Sequence, residues 1–127
     1  MKQAVTGDSL PTPAGAYSPG IVADGRLLFV SGQGPIRDGQ PVSGTIEEET
    51  EIVLGNLRTI VEAAGATLAD VVRVGVFLAD LTDFAAMNAV YERTFPAPLP
   101  ARTTVGAQLP GIKVEIDCVA VLPGGAG

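Results

Sequence analysis

The chain contains no histidine and a single cysteine, Cys118. Chemistry is therefore left to carboxylates, arginine, hydroxyls, tyrosine, asparagine and backbone groups. Zinc sites built on His or paired Cys are excluded, as are Ser-His-Asp and Cys-His nucleophilic catalysis. The first candidate is Arg102, in FPAPLPARTTVGAQLP at 95–110. Three prolines, Pro96, Pro98 and Pro100, restrict the backbone on the approach and deliver an arginine into a segment otherwise made of Ala, Thr and Val. Strand alternation puts Thr104 on the face of Arg102 and, in KVEIDCVAV at 113–121, puts Asp117 on the face of Glu115. If the two segments pair as a hairpin around Pro110-Gly111, residues 104–106 face 115–117 and Arg102 lies toward the far end, not opposite Glu115. The plain alternative for Arg102 is a surface or interface salt bridge, worth about 0–1 kcal/mol.

Three further stretches carry polar groups in suggestive places. SGQGP at 31–35 is glycine-rich but lacks the GK[ST] ending of a Walker loop and the third glycine of a dinucleotide fingerprint. Its glycines either admit a substrate close to the backbone or mark a bent strand end. Tyr17, in PAGAYSPG at 13–20, either caps a core edge or presents its hydroxyl to a pocket. Asn88 sits beside the apolar stripe of a helix, where an amide is a packing residue or a ligand contact. Cys118 shares a strand face with Ile116 and Ala120 and reads as core.

The elements that position these groups can be read from periodicity. Residues 17–42 form short strands joined by tight turns, with hairpin signals at Asp24-Gly25 and Asp38-Gly39. Strands are expected near 20–23 and 26–32, with a weaker one near 3–6. The spacing of Ile46, Val53, Leu57, Ile60 and Ala64 predicts a helix over 45–64, with Thr45 and Glu48 as a capping box and Gly65 as its stop. The EEETE run at 47–51 reads as first-turn acids complementing the helix dipole. VVRVGVFLA at 71–79 alternates as a strand. A helix over 83–94 follows, capped by Asp80 or Thr82, with Phe84, Met87, Val90 and Tyr91 on its apolar side and Pro96 ending it. Strands near 102–108 and 112–122 complete the set, and GGAG at the end is expected to fray.

This order predicts an α+β fold in one domain: a single mixed sheet of about six strands with two helices on one face. The other face, carrying Glu115, Asp117, Val119 and Val121, then needs a cover, and self-association is the economical one. The low charged fraction, 17%, points the same way. A net charge of −6, with two lysines and six arginines scattered along 127 residues, makes a nucleic-acid partner unexpected. The N-terminus lacks an apolar leader segment and no apolar run reaches about 18 residues, so a soluble, cytoplasmic protein with no membrane partner is expected.

In order and spacing, AGAYSPG, SGQGP, the segment from LGNLRTIVEAAGATLADVVRVGVF to MNAVY, PARTTV and KVEIDCVAV together resemble the RidA/YjgF family, over residues 13–122. The resemblance implies a chorismate-mutase-like fold and a homotrimer whose sheets form a central barrel, with three clefts between subunits. It implies an enamine/imine deaminase that hydrolyses 2-iminopropanoate and 2-iminobutanoate to 2-oxo acids and ammonia, with no metal or organic cofactor. Arg102 then matches the arginine that binds the substrate carboxylate, a task for which the planar fork suits arginine better than lysine. Glu115 matches the carboxylate that activates or orients water. Tyr17, Ser31, Gly32, Asn88 and Thr104 match cleft positions. Two departures stand out: Ala16 where GPY is usual, and Pro19 where glutamine is common. Deamination of another enamine, such as aminoacrylate or an aminomuconate, or simple binding of small carboxylates, fits the same residues. The family's older label is endoribonuclease, for which this acidic, histidine-free chain lacks parts.

Overall fold

Thr45 opens the longer helix, α1 (Ile46–Ala63), in the way its spacing to Glu48 predicts. The Thr45 hydroxyl accepts from the Glu48 N–H at 3.1 Å and the Glu48 carboxylate accepts from the Thr45 N–H at 2.9 Å. These bonds hold the Glu48 carboxyl below its ordinary pKa. The computed structural model describes residues 1–124, so the expectation of a frayed end falls mostly on 125–127, outside the described residues. The inner face of α1 is Ile46, Val53, Leu54, Leu57 and Val61, all buried. Ile60 is only partly buried and Ala64 is exposed, so the stripe runs slightly off the predicted one.

The acidic run has structural tasks more specific than a dipole. Glu49 is 1% exposed and accepts from the Lys113 backbone N–H at 2.8 Å, the Lys113 ammonium at 3.2 Å and the Gly44 N–H at 3.3 Å. Glu51 pairs on the surface with Arg93 of the second helix at 2.8 Å.

Among the described residues eight strands form three sheets, not one. β1 (Lys2–Ala4) pairs antiparallel with β2 (Ile21–Ala23), and β4 (Ile36–Arg37) with β5 (Gln40–Pro41). The β4–β5 turn uses Asp38 and Gly39, both at positive φ, as the Asp-Gly signal predicts. The other signal, Asp24-Gly25, does not close a hairpin. It links β2 to β3 (Leu27–Gln33), which belong to different sheets.

The main sheet has four strands in the order β3-β8-β6-β7, with β6 (Val71–Leu78), β7 (Ala101–Gly106) and β8 (Val114–Val121). A 3-10 turn at Leu81–Asp83, capped by Asp80, leads from β6 into α2 (Phe84–Thr94). This strand–helix–strand crossover makes β6 and β7 parallel neighbours. The expected hairpin of β7 with β8 does not form: β8 pairs antiparallel with β6 on one side and β3 on the other, so β6 separates it from β7.

Both helices pack on one side of this sheet. There Val74, Val76, Leu78, Val114, Ile116, Cys118 and Ala120 meet Val53, Leu57, Val61, Met87 and Val90 in one buried cluster. Burial there pushes the Cys118 thiol up to about 12, so it stays protonated and inert. Among the described residues no helix covers the other side. It exposes Phe29 (72%), Leu27 (50%) and Val105 (42%) beside Glu115, Asp117 and Val119. Val121, expected on this open face, is buried instead, with Gly25 closing over it.

Candidate functional site

Arg102 lies on the helix side of β7. Its register partner is Val74, which pairs in turn with Cys118, and both belong to the core. At 9% exposure it is a buried cation, and none of the ion pairs among the described residues involves it. Its guanidinium is held by aromatic faces and one amide. Carbon Cζ lies 4.7 Å from the Tyr91 ring centre, 5.5 Å from that of Phe84 and 5.6 Å from that of Tyr17. Nη1 donates to Asn88 Oδ1 at 2.8 Å. Cation–π contacts of this kind contribute roughly 0.5–2 kcal/mol each and offset part of the desolvation that lowers the Arg102 pKa. Burial pushes the Tyr91 phenol well above its usual range, against a smaller opposing pull from Arg102.

Two loops converge to build this cage. Tyr17 is fixed because its phenolic oxygen accepts from the Ala14 N–H at 3.0 Å. The next residue, Ser18, donates its N–H to the Pro100 carbonyl at 3.1 Å and its hydroxyl to the Leu99 carbonyl. The 13–20 loop is thereby tied to the proline-rich approach that carries Arg102. Asn88 Oδ1 also accepts from the Ala16 N–H at 3.4 Å. Gly15 faces the guanidinium directly: a Cβ there would lie 2.9 Å from Nη2.

The cage opens onto a cavity of about 270 Å³ lined by Ala14, Tyr17, Phe84, Arg102, Thr103 and Thr104. Thr104 Oγ1 is buried with no protein partner among the described residues, and so is the Tyr91 hydroxyl. A larger cavity of about 470 Å³, lined by Val5, Leu10, Tyr17 and the prolines of the first loop, has no charged group in its lining. Of these two cavities only the smaller has a charged side chain in its lining, Arg102.

Glu115 lies elsewhere. Its register partner is Phe77, on the face without helices. Between Val30↔Cys118 and Gln33↔Ile116, two residues of β3, Ser31 and Gly32, oppose the single residue Asp117: a β-bulge. At this bulge the Glu115 carboxylate lies directly over Gly32, so close that a Cβ there would overlap it, with Glu115 Cδ only 2.9 Å away. Ser31 is exposed next to it.

The candidate residues thus fall into two groups. Arg102, Tyr17, Asn88 and Thr104 come together under the helices, while Glu115, Ser31 and Gly32 come together on the open face. β7 and β8 are two strands apart, about 9–10 Å, and the two side chains leave opposite faces. Phe84, Tyr91 and Gly15 join the first group although their spacing reads as core stripe or turn. The helical spacing of Phe84, Asn88 and Tyr91, at i, i+4 and i+7, is the signal that places all three on one face toward Arg102. Among the described residues no cluster of three or more His, Cys, Asp or Glu is arranged for a metal, and no helix is long and apolar enough to cross a membrane.

Comparison with known proteins agrees with this architecture. The family described as Endoribonuclease L-PSP matches residues 7–122. The chain is 43% identical over 125 residues to Reactive Intermediate Deaminase A, chloroplastic, of Arabidopsis thaliana, spanning 95% of this chain and 66% of that one. It is 37% identical over 125 residues to the 2-iminobutanoate/2-iminopropanoate deaminase of Dermatophagoides farinae, covering 95% and 97%. A crystal structure of a Thermotoga maritima protein with a provisional endoribonuclease name superposes with a TM-score of 0.74 at 45% identity, covering 98% and 100%. The chain belongs to the endoribonuclease L-PSP family, that is, the RidA/YjgF family.

Proposed function

We propose that this RidA/YjgF family member is an enamine/imine deaminase that hydrolyses small 2-imino acids to 2-oxo acids and ammonia. The observation that carries the proposal is Arg102: a buried guanidinium, oriented by Asn88, free of any carboxylate among the described residues and facing a cavity of about 270 Å³. A buried unpaired cation is costly, and a ligand carboxylate is what relieves it. With one N–H taken by Asn88, the remaining guanidinium donors are available for a two-point contact. Thr104 lines the same cavity. Water then adds to the imine carbon and the nitrogen leaves protonated, so that iminium and water become ketone and ammonium. Glu115 is the residue in this reading that takes the proton from water.

The two-group geometry bears on assembly. In a 2-imino acid the imine carbon is bonded directly to the carboxylate carbon, so the anchor and the base must act within a few ångströms of each other. Arg102 and Glu115 of one chain leave opposite faces of the sheet and cannot meet on one such molecule. In this reading a second copy completes the cleft, Arg102 coming from one subunit and Glu115, Ser31 and Gly32 from its neighbour, in the homotrimer with packed open sheet faces that the family resemblance implies. The exposed Phe29, Leu27 and Val105 are the apolar surface for that contact. RNA cleavage has no such support, since the net charge is −6 and no histidine is present to move a proton.

The test is 2-iminobutanoate generated in situ by a threonine dehydratase and trapped with semicarbazide. Wild-type protein is expected to reduce semicarbazone formation by speeding hydrolysis. Trapping equal to that in buffer would overturn the deaminase reading, and tight 2-oxobutanoate binding in that case would mark a carboxylate binder.

A further inference from the structure

Each of the two charged groups lies against a glycine, and in each case the glycine is the residue whose missing Cβ leaves room for it. At Gly15 a Cβ would lie 2.9 Å from Arg102 Nη2, while its other neighbours, Asn88 Oδ1 at 3.5 Å and Phe84 Cζ at 3.6 Å, would be in ordinary contact. At Gly32 the three nearest atoms the added one would meet all belong to Glu115: it would overlap Oε2 and lie 2.9 Å from Cδ. Neither glycine has positive φ, so the backbone at both sites accepts alanine without strain. Both obstructed groups are ends of long side chains, which can move without unfolding anything.

We infer that Gly15 and Gly32 are positioning residues: Gly15 seats the carboxylate anchor Arg102 and Gly32 seats the water-activating Glu115. This deepens the deaminase reading and rests on it. It gives Gly32 a task other than touching substrate, and it draws Gly15 into the site. The two seats predict opposite kinetic signatures. An anchor that grips ground state and transition state alike acts on KM, whereas a base that acts only in the chemical step acts on kcat.

The experiment compares Gly15→Ala and Gly32→Ala with wild type in the 2-iminobutanoate assay, in 2-oxobutanoate binding by calorimetry, and in thermal unfolding. In Gly15→Ala the guanidinium retreats by roughly half an ångström, and KM and the 2-oxobutanoate Kd are expected to rise together by about tenfold with kcat within about twofold of wild type. In Gly32→Ala the carboxylate retreats by roughly 1 Å, and kcat is expected to fall by about 10²-fold with KM and Kd within about twofold. Unfolding temperatures are expected to stay at the wild-type value. Glu115→Ala removes all three of the nearest atoms a Cβ at 32 would meet, so adding Gly32→Ala to that variant is expected to cost nothing further. Equal losses in kcat and KM accompanied by a lower unfolding temperature would overturn the inference, as would no effect from either alanine. A wild-type protein without turnover would end the deaminase reading instead. Crystal structures of the two alanine variants would then still decide the inference, by whether each side chain has left its seat.

Discussion

Arg102→Ala is expected to lower kcat/KM for 2-iminobutanoate by about 10²–10³-fold, because truncating one partner of a buried charge pair costs roughly 2–5 kcal/mol. The loss should fall mainly on KM, since the carboxylate is held the same way before and during water addition. Binding of 2-oxobutanoate, which presents the same carboxylate, should weaken in parallel. Arg102→Lys is expected to recover little of this. An ammonium keeps the charge but cannot donate to Asn88 Oδ1 and a carboxylate in one plane, and it stacks poorly between Tyr17, Phe84 and Tyr91. Stability should not fall with activity. In the free protein Arg102 is a buried cation without a counter-ion among the described residues, so removing it also removes a desolvation cost. Steady-state kinetics with calorimetry and a thermal melt check the three parts separately.

The second large effect belongs to Glu115. Glu115→Gln preserves the shape of the side chain over Gly32 but cannot accept a proton, so kcat is expected to fall by about 10²–10⁴-fold, the range for a lost general base. KM and 2-oxobutanoate binding should hold near wild-type values because Arg102 is untouched. The side chain sits on the sheet face away from the core, so the fold should tolerate the change. A variant that loses binding and turnover together would place Glu115 in the carboxylate pocket instead.

Much of this was legible in the sequence where local rules decide. The Thr45–Glu48 box, the alternation of β6 and β8 and the Asp38-Gly39 turn are written in neighbouring residues, and the folded chain follows them. The pairing of β7 was not local. The short Pro110-Gly111 link favours a hairpin, yet the strand–helix–strand order through α2 puts β7 parallel to β6, and the sheet obeys the crossover. That one choice sends Arg102 under the helices and leaves Glu115 on the open face. The ordered motifs of the family resemblance picked out Arg102 and Glu115 as a working pair without showing that a single chain separates them. Phe84 and Tyr91 illustrate the same limit: their spacing marks a buried stripe, and only the fold reveals that part of what they bury is a guanidinium. At position 16, where the family commonly has proline, alanine supplies the N–H that Asn88 accepts, a contact no motif records.

A site divided between chains is tested most directly by subunit mixing. Arg102→Ala and Glu115→Gln proteins, each inactive alone, would be unfolded together, refolded as mixed oligomers and assayed with 2-iminobutanoate. Random trimers in which Arg102 comes from one subunit and Glu115 from the next restore about a quarter of the wild-type clefts, so activity should return to about that share. Mixed oligomers verified by mass that stay as inactive as their parents would contradict the account, for then both residues would have to act from the same chain.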